Sequence, residues 1–184
     1  MQADATLIAA LLEQLSLQRR ETHNRVLTLV QDLSDDQLAW RPTLAAPPIG
    51  FHVWHLARWA DHDRAVVEGT PQIWRARGLA RAWGFPDAGL GNDDTGTGMS
   101  DSASNDLVLP PKPALLDYAT VAFAALDKAL SALPADSLLK PIKAPENEDS
   151  AVNMLIGYLS HDNRHLGMIE ALRGALGLTG TATN

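Results

Sequence analysis

The 184-residue sequence predicts an all-α fold, a four-helix bundle with one long crossover between its second and third main helices. Three observations carry this expectation. Four long stretches repeat apolar residues at helical spacing. One interior stretch, 84–111, holds five glycines, three prolines and many Asp, Ser, Thr and Asn residues. Neither a strand pattern of useful length nor an internal repeat occurs. A single domain over 1–184 fits the length, with 71–112 as crossover and lid and 177–184 as a polar tail.

The first helix is expected over 4–33, a stretch without Gly or Pro in which Leu7, Leu11, Leu15, Val26, Leu27 and Val30 recur at helical spacing. Ser34-Asp35-Asp36 reads as a break followed by a short capped turn, and 42–48 as loop. The second helix is expected over 50–68, stopped by Gly69-Thr70-Pro71. Residues 71–83 suit a short extra helix. The long connection that follows is of a kind that is usually functional or disordered. Gly89, Gly91, Gly96 and Gly98 would let it bend, and Trp74, Trp83 and Phe85 would either wall a pocket mouth or simply pack the bundle. Pro113 suits the first turn of a third helix over 113–133, with Leu115, Leu116, Ala119, Phe123, Leu126 and Leu130 on its apolar face. After a loop with Pro141 and Pro145, Glu146, Glu148, Asp149 and Ser150 put negative charge before a fourth helix over 151–176.

Composition narrows the function. The net charge of −7 argues against sequence-independent nucleic-acid binding. With no cysteine, disulfides and thiolate metal sites are excluded, and a catalytic thiol would have to come from a cofactor or substrate. The start shows no basic leader, and no apolar run reaches the ~18 residues of a membrane span. A cytoplasmic protein without membrane partners is expected.

The most informative motif is His161-Asp162-Asn163-Arg164-His165. Residues four apart on a helix share a face, so both imidazoles can address one ion. Phe51-His52-Val53-Trp54-His55-Leu56-Ala57-Arg58-Trp59 offers a third. His55 and His62 lie seven residues apart, ~10 Å along a helix at about 1.5 Å per residue, and cannot bind one ion together. His55 is preferred, because Trp54, Leu56 and Trp59 suggest a buried stretch. His52 is the second choice. His23 and His62 read as surface or edge residues. The motif is not the zincin type, which carries Glu where Asp162 stands. Asp162 reads as a helix-surface residue rather than as a partner of the histidines. Arg58, Arg64, Arg75, Arg77 and Arg81 could attract an anionic substrate, but read better as a solvated face balancing Asp87, Asp93, Asp94, Asp101 and Asp106.

The segment 33–42, ending Ala39-Trp40-Arg41-Pro42, the run Pro48-Ile49-Gly50 leading into the His52–Trp59 motif, the stretch from Ile73-Trp74 to Gly84, and the fourth-helix run from His161 to Gly174 together resemble the DinB-like superfamily. The similarity is greatest to its branch around mycothiol-dependent maleylpyruvate isomerase and bacillithiol transferase. The resemblance implies a bundle holding one divalent ion, usually zinc or nickel, on His55, His161 and His165. It also implies a low-molecular-weight thiol as a second cofactor in some members.

An ion on three neutral imidazoles keeps its double charge and an exchangeable position. It can activate water, polarise a carbonyl or hold a thiol as thiolate. The expected function is therefore a metal-dependent enzyme, either a thiol S-transferase or isomerase, or a hydrolase, acting on a small-molecule substrate. The alternative is a non-catalytic metal-binding bundle acting in stress response or by association, and a homodimer suits both. No general base stands out among Asp61, Asp63, Asp162, Tyr158 and Glu170.

Overall fold

Helix breakers and caps set the element boundaries. The computed structural model describes residues 5–139, 141–143 and 148–179. Pro145, Glu146 and the end of the polar tail lie outside these residues. The elements are α1 (Ala5–Val30), α2 (Asp35–Ala39), α3 (Ile49–Glu68), α4 (Ile73–Ala76), α5 (Leu79–Ala82), α6 (Asp101–Asp106), α7 (Lys112–Ser131), a 3-10 turn (Ala135–Leu139), β1 (Pro141–Lys143), β2 (Glu148–Ser150) and α8 (Ala151–Ala175). The four main helices α1, α3, α7 and α8 match the expected bundle. The short crossover helix becomes two single turns, α4 and α5, and α6 adds a third. Three-residue strands β1 and β2 pair antiparallel ahead of α8, a pairing too short to leave a period in the sequence. No helix among the described residues is long and apolar enough to cross a membrane.

Side-chain pairs give the helix directions. Arg19 meets Asp162 and Arg25 meets Glu170, so α1 and α8 run parallel. Arg20 meets Asp127 while His23 stacks on Phe123, so α1 and α7 run antiparallel. His52 meets His165 and His55 meets His161, so α3 and α8 run antiparallel. It follows that α3 and α7 are parallel, and parallel neighbours need a long return connection. That is the physical reason for the crossover.

Local chemistry fastens the ends. Ser34 and Gln37 form a reciprocal capping box on α2, which satisfies two otherwise orphaned N–H groups. The Lys112 ammonium donates to the carbonyls of Gln31 and Leu33, and its own N–H donates to Asp35 (2.7 Å each). One lysine thus closes the C-terminus of α1 and ties α7 to α2.

The buried stripe of α1 departs from the expected one. Leu7 and Leu11 are 70% and 42% exposed. The stripe that faces the bundle runs through Leu12, Ser16, Arg19, Thr22, His23 and Val26, with polar groups at its centre. Polar groups removed from water need partners, and those partners lead to the site.

Candidate metal centre

The central helix α3 is buried on nearly all sides from Ile49 to Arg64. It carries His55 to the seam with α8, where His161 and His165 stand one turn apart. One ring nitrogen from each of the three gathers within 4.8 Å of the others. Nε2 of His55 lies 2.9 Å from Nε2 of His161, and the ring centroids of the three pairs lie 4.5–4.9 Å apart. Burial, joined by the nearby imidazoles, lowers the pKa of His55 to about 4 and of His165 to about 2. Both rings are therefore neutral at physiological pH, the form a metal requires. Imidazole nitrogens suit several divalent transition metals. Among the described residues neither a carboxylate nor a fourth imidazole joins this group.

Each of the three rings also has an Nδ1 contact. Nδ1–H of His55 donates to the carbonyl of Thr95 (2.5 Å), which leaves Nε2 with its lone pair toward the cluster. Nδ1 of His161 faces Oδ1 of Asp162 at 3.3 Å. Nδ1 of His165 lies 2.9 Å from Nδ1 of His52. Such outer partners fix imidazole tautomer and orientation in metal sites. His52, the second choice as ligand, stands outside the three-histidine group.

A sequence profile of the DinB superfamily matches residues 9–169. The chain belongs to the DinB superfamily. Among solved structures it is similar to a conserved protein from Enterococcus faecalis, with a TM-score of 0.74 at 15% identity, over 88% of this chain and 94% of that one. A likeness at that identity speaks to the fold. No curated protein matches the chain.

Three sequence expectations for this DinB-superfamily chain are corrected beneath the cluster. Asp162 is not a helix-surface residue but wholly buried. Its Oδ2 accepts from Arg19 Nε (2.9 Å) and from His23 Nε2 (3.1 Å). Burial raises the Asp162 pKa, but Arg19 and the bonds from His161 and His23 outweigh it and hold the carboxyl far below the usual range. His23 is likewise buried, not an edge residue, and stacks on Phe123 with centroids 3.9 Å apart. His62 is buried as well, its ring nitrogens 3.5 Å from Asp63 and 3.7 Å from Asp93. Arg19 also donates to Asp63 (2.6 Å), so one guanidinium on α1 joins carboxylates on α3 and α8. The amphipathic pattern missed this because it reads Arg and His as outward residues.

The arginine expectation also divides. Arg75 pairs with Asp94 of the acidic crossover (3.4 Å) as expected, whereas Arg77 pairs with Asp117 of α7 (3.8 Å), outside that acidic set. Arg58 and Arg64, by contrast, are buried. Arg58 donates to Asp61, Tyr118, Gln72 and the carbonyls of Asp93 and Asp94. Arg64 donates to Asp61, Glu68, Thr70 and the carbonyl of Pro71. Asp61 accepts in addition from the N–H groups of Ile73 and Trp74 (2.8 and 2.7 Å), closing the start of α4. Trp74, Trp83 and Phe85 pack on one another, the two tryptophans also meet Tyr118, and Trp54 meets Trp74 and Phe85. These residues form a clamp between α3 and the crossover. Of the other candidate bases, Asp63 is committed to Arg19. Glu170 pairs with Arg25, and Tyr158 lies half-buried beside Trp59, under the Arg19 guanidinium.

The clamp positions His55. Asp93 and Asp94 take positive φ (50° and 58°), a conformation that costs non-glycine residues free energy, and Arg58 holds both carbonyls. The next residue is Thr95, whose carbonyl meets His55. Gly96, at φ +91°, then passes so close that a Cβ there would lie 2.8 Å from Trp54, 3.0 Å from Phe51 and 3.2 Å from Nδ1 of His55. Replacing Gly96 by alanine is expected to lower stability by about 1–3 kcal/mol and to weaken metal binding by displacing His55. Thermal unfolding and metal titration of the variant check both effects.

Proposed function

We propose that this protein is a divalent-metal-dependent enzyme holding one zinc or nickel ion on His55, His161 and His165. The observation that carries the reading is the convergence of three imidazoles from α3 and α8, without a fourth His, Asp or Glu donor among the described residues. A three-ligand set of this kind leaves a position for water or substrate, whereas a structural site closes its tetrahedron. His161 keeps 20% of its side chain exposed, so the cluster is partly open to solvent on the α8 side.

When bound, the ion would supply Lewis acidity to a carbonyl, a water or a thiol. The chain's own residues do the rest. Thr95 and Asp162 orient His55 and His161, and Arg19 offsets the carboxylate of Asp162. Trp59 and Tyr158 line the approach beside His161, with ring centroids 5.9 Å (Trp59 to His161) and 5.3 Å (Trp59 to Tyr158) apart. The chain has no cysteine, so thiol chemistry needs a low-molecular-weight thiol as cofactor. A thiol-dependent S-transferase or isomerase is the first reaction class, and hydrolysis the second. Arg58 and both terminal nitrogens of Arg64 are engaged by internal partners, so recognition of an anionic substrate would fall to other groups.

Metal analysis of the purified protein tests the site. One divalent ion per chain is expected in the wild type, and its loss in His55→Ala and in His161→Ala. Stoichiometric metal surviving both substitutions would sink the assignment. Protein loaded with zinc or nickel is then assayed for thiol transfer and for ester hydrolysis. Full metal occupancy without turnover in either assay would favour the non-catalytic alternative.

A further inference from the structure

His52 has a partner but no role in the metal group. It is buried on α3, one turn before His55, and its Nδ1 meets Nδ1 of His165 at 2.9 Å. Two imidazole nitrogens at that distance share one proton, so one ring donates and the other accepts. If His165 accepted at Nδ1, its Nε2 would carry the proton and have no lone pair for an ion. If His165 donates, Nε2 is left free, as Nε2 of His55 is left free by Thr95.

We infer that His52 is a positioning residue that accepts a hydrogen bond from Nδ1–H of His165 and so holds Nε2 of His165 ready to ligate. This deepens the proposed function and rests on it for the metal, though not for the hydrogen bond itself. Each of the three histidines then has its own acceptor: a carbonyl of the crossover for His55, a carboxylate of α8 for His161, and an imidazole of α3 for His165. The His52 acceptor is neutral and arises from the same helix as a ligand, so it aligns α3 and α8 without adding charge. Simple packing at this position would need only the ring's volume, which phenylalanine supplies.

The test reads tautomers before it reads metal. Long-range 15N–1H correlation spectra of the metal-free protein are expected to show His165 protonated at Nδ1 and His52 protonated at Nε2. Wild-type His165 protonated at Nε2 overturns the inference. Metal titration against a competing chelator is expected to show His52→Phe binding one ion with affinity reduced about 10–100-fold. His52→Asn, which presents an oxygen near the position of Nδ1, is expected to recover much of that loss. Equal affinity of wild type and His52→Phe overturns the positioning role. Loss of one ligand from the Co(II) spectrum of His52→Phe would instead make His52 a ligand, and also overturns it. Wild-type protein with the expected tautomers but without metal affinity refutes the proposed function and leaves the hydrogen-bond assignment standing.

Discussion

Replacing Arg19 by methionine is expected to lower the free energy of unfolding by about 3–5 kcal/mol, the range for breaking a buried ion pair by removing one partner. Methionine keeps much of the volume and removes the charge. Asp63 and Asp162 then remain buried without their shared cation, at side-chain exposures of 0%. The second consequence concerns the site. Asp162 also faces His161, so a carboxylate that protonates or turns away after losing Arg19 releases that ring. Urea unfolding and metal titration of Arg19→Met should therefore move together. A stability loss below about 1 kcal/mol would mean that the cluster contributes little net free energy. An unchanged metal affinity in a destabilised variant would uncouple it from the site.

The second large effect is expected at Asp61. Its carboxylate accepts from two backbone N–H groups, two arginines and the hydroxyl of Tyr118. Asp61→Ala takes from Arg58 its carboxylate partner, leaves Arg64 with Glu68 alone, and opens the start of α4. A loss of about 3–5 kcal/mol follows from the same rule. The damage should reach the metal site by a different path. Arg58 grips the carbonyls of Asp93 and Asp94, and the next carbonyl, of Thr95, holds His55. Hydrogen exchange in 90–98 should rise in Asp61→Ala, along with weaker metal binding. Unchanged protection of that loop would show that the clamp is held elsewhere.

Much of this architecture could be read from residue pattern alone. The expected helices over 50–68, 113–133 and 151–176 differ by a residue or two from Ile49–Glu68, Lys112–Ser131 and Ala151–Ala175, because apolar spacing and glycine stops act locally. The meeting of His161 and His165 with a histidine of α3 was open to the same reasoning, since helical spacing pairs the first two; pattern preferred His55 with His52 as second choice, and the family resemblance chose His55. The polar interior was not. Arg19 lies 44 positions from Asp63 and 143 from Asp162, and nothing near Arg19 in the chain signals that it turns inward. The same holds for Asp162, His23 and Arg58. Each looks like a surface residue until its distant partner is known. The positioning carbonyl of Thr95 was equally hidden, because it depends on backbone shape in the crossover and not on a side chain.

The polar stripe of α1 also bears on the order in which the molecule can assemble. During synthesis α1 emerges before α3 and α7, and long before α8. Until α8 arrives, Arg19 has Asp63 but lacks Asp162, and docking α1 onto the other helices would bury Arg19 with one of its two carboxylates missing and His23 without its acceptor. Partial assemblies of the first three helices are thereby disfavoured. The last helix brings the carboxylate and two of the three site histidines in one step. A compact but unfinished chain offering a half-built metal site is therefore a poorly populated state, and closure of the bundle and completion of the site become one cooperative event.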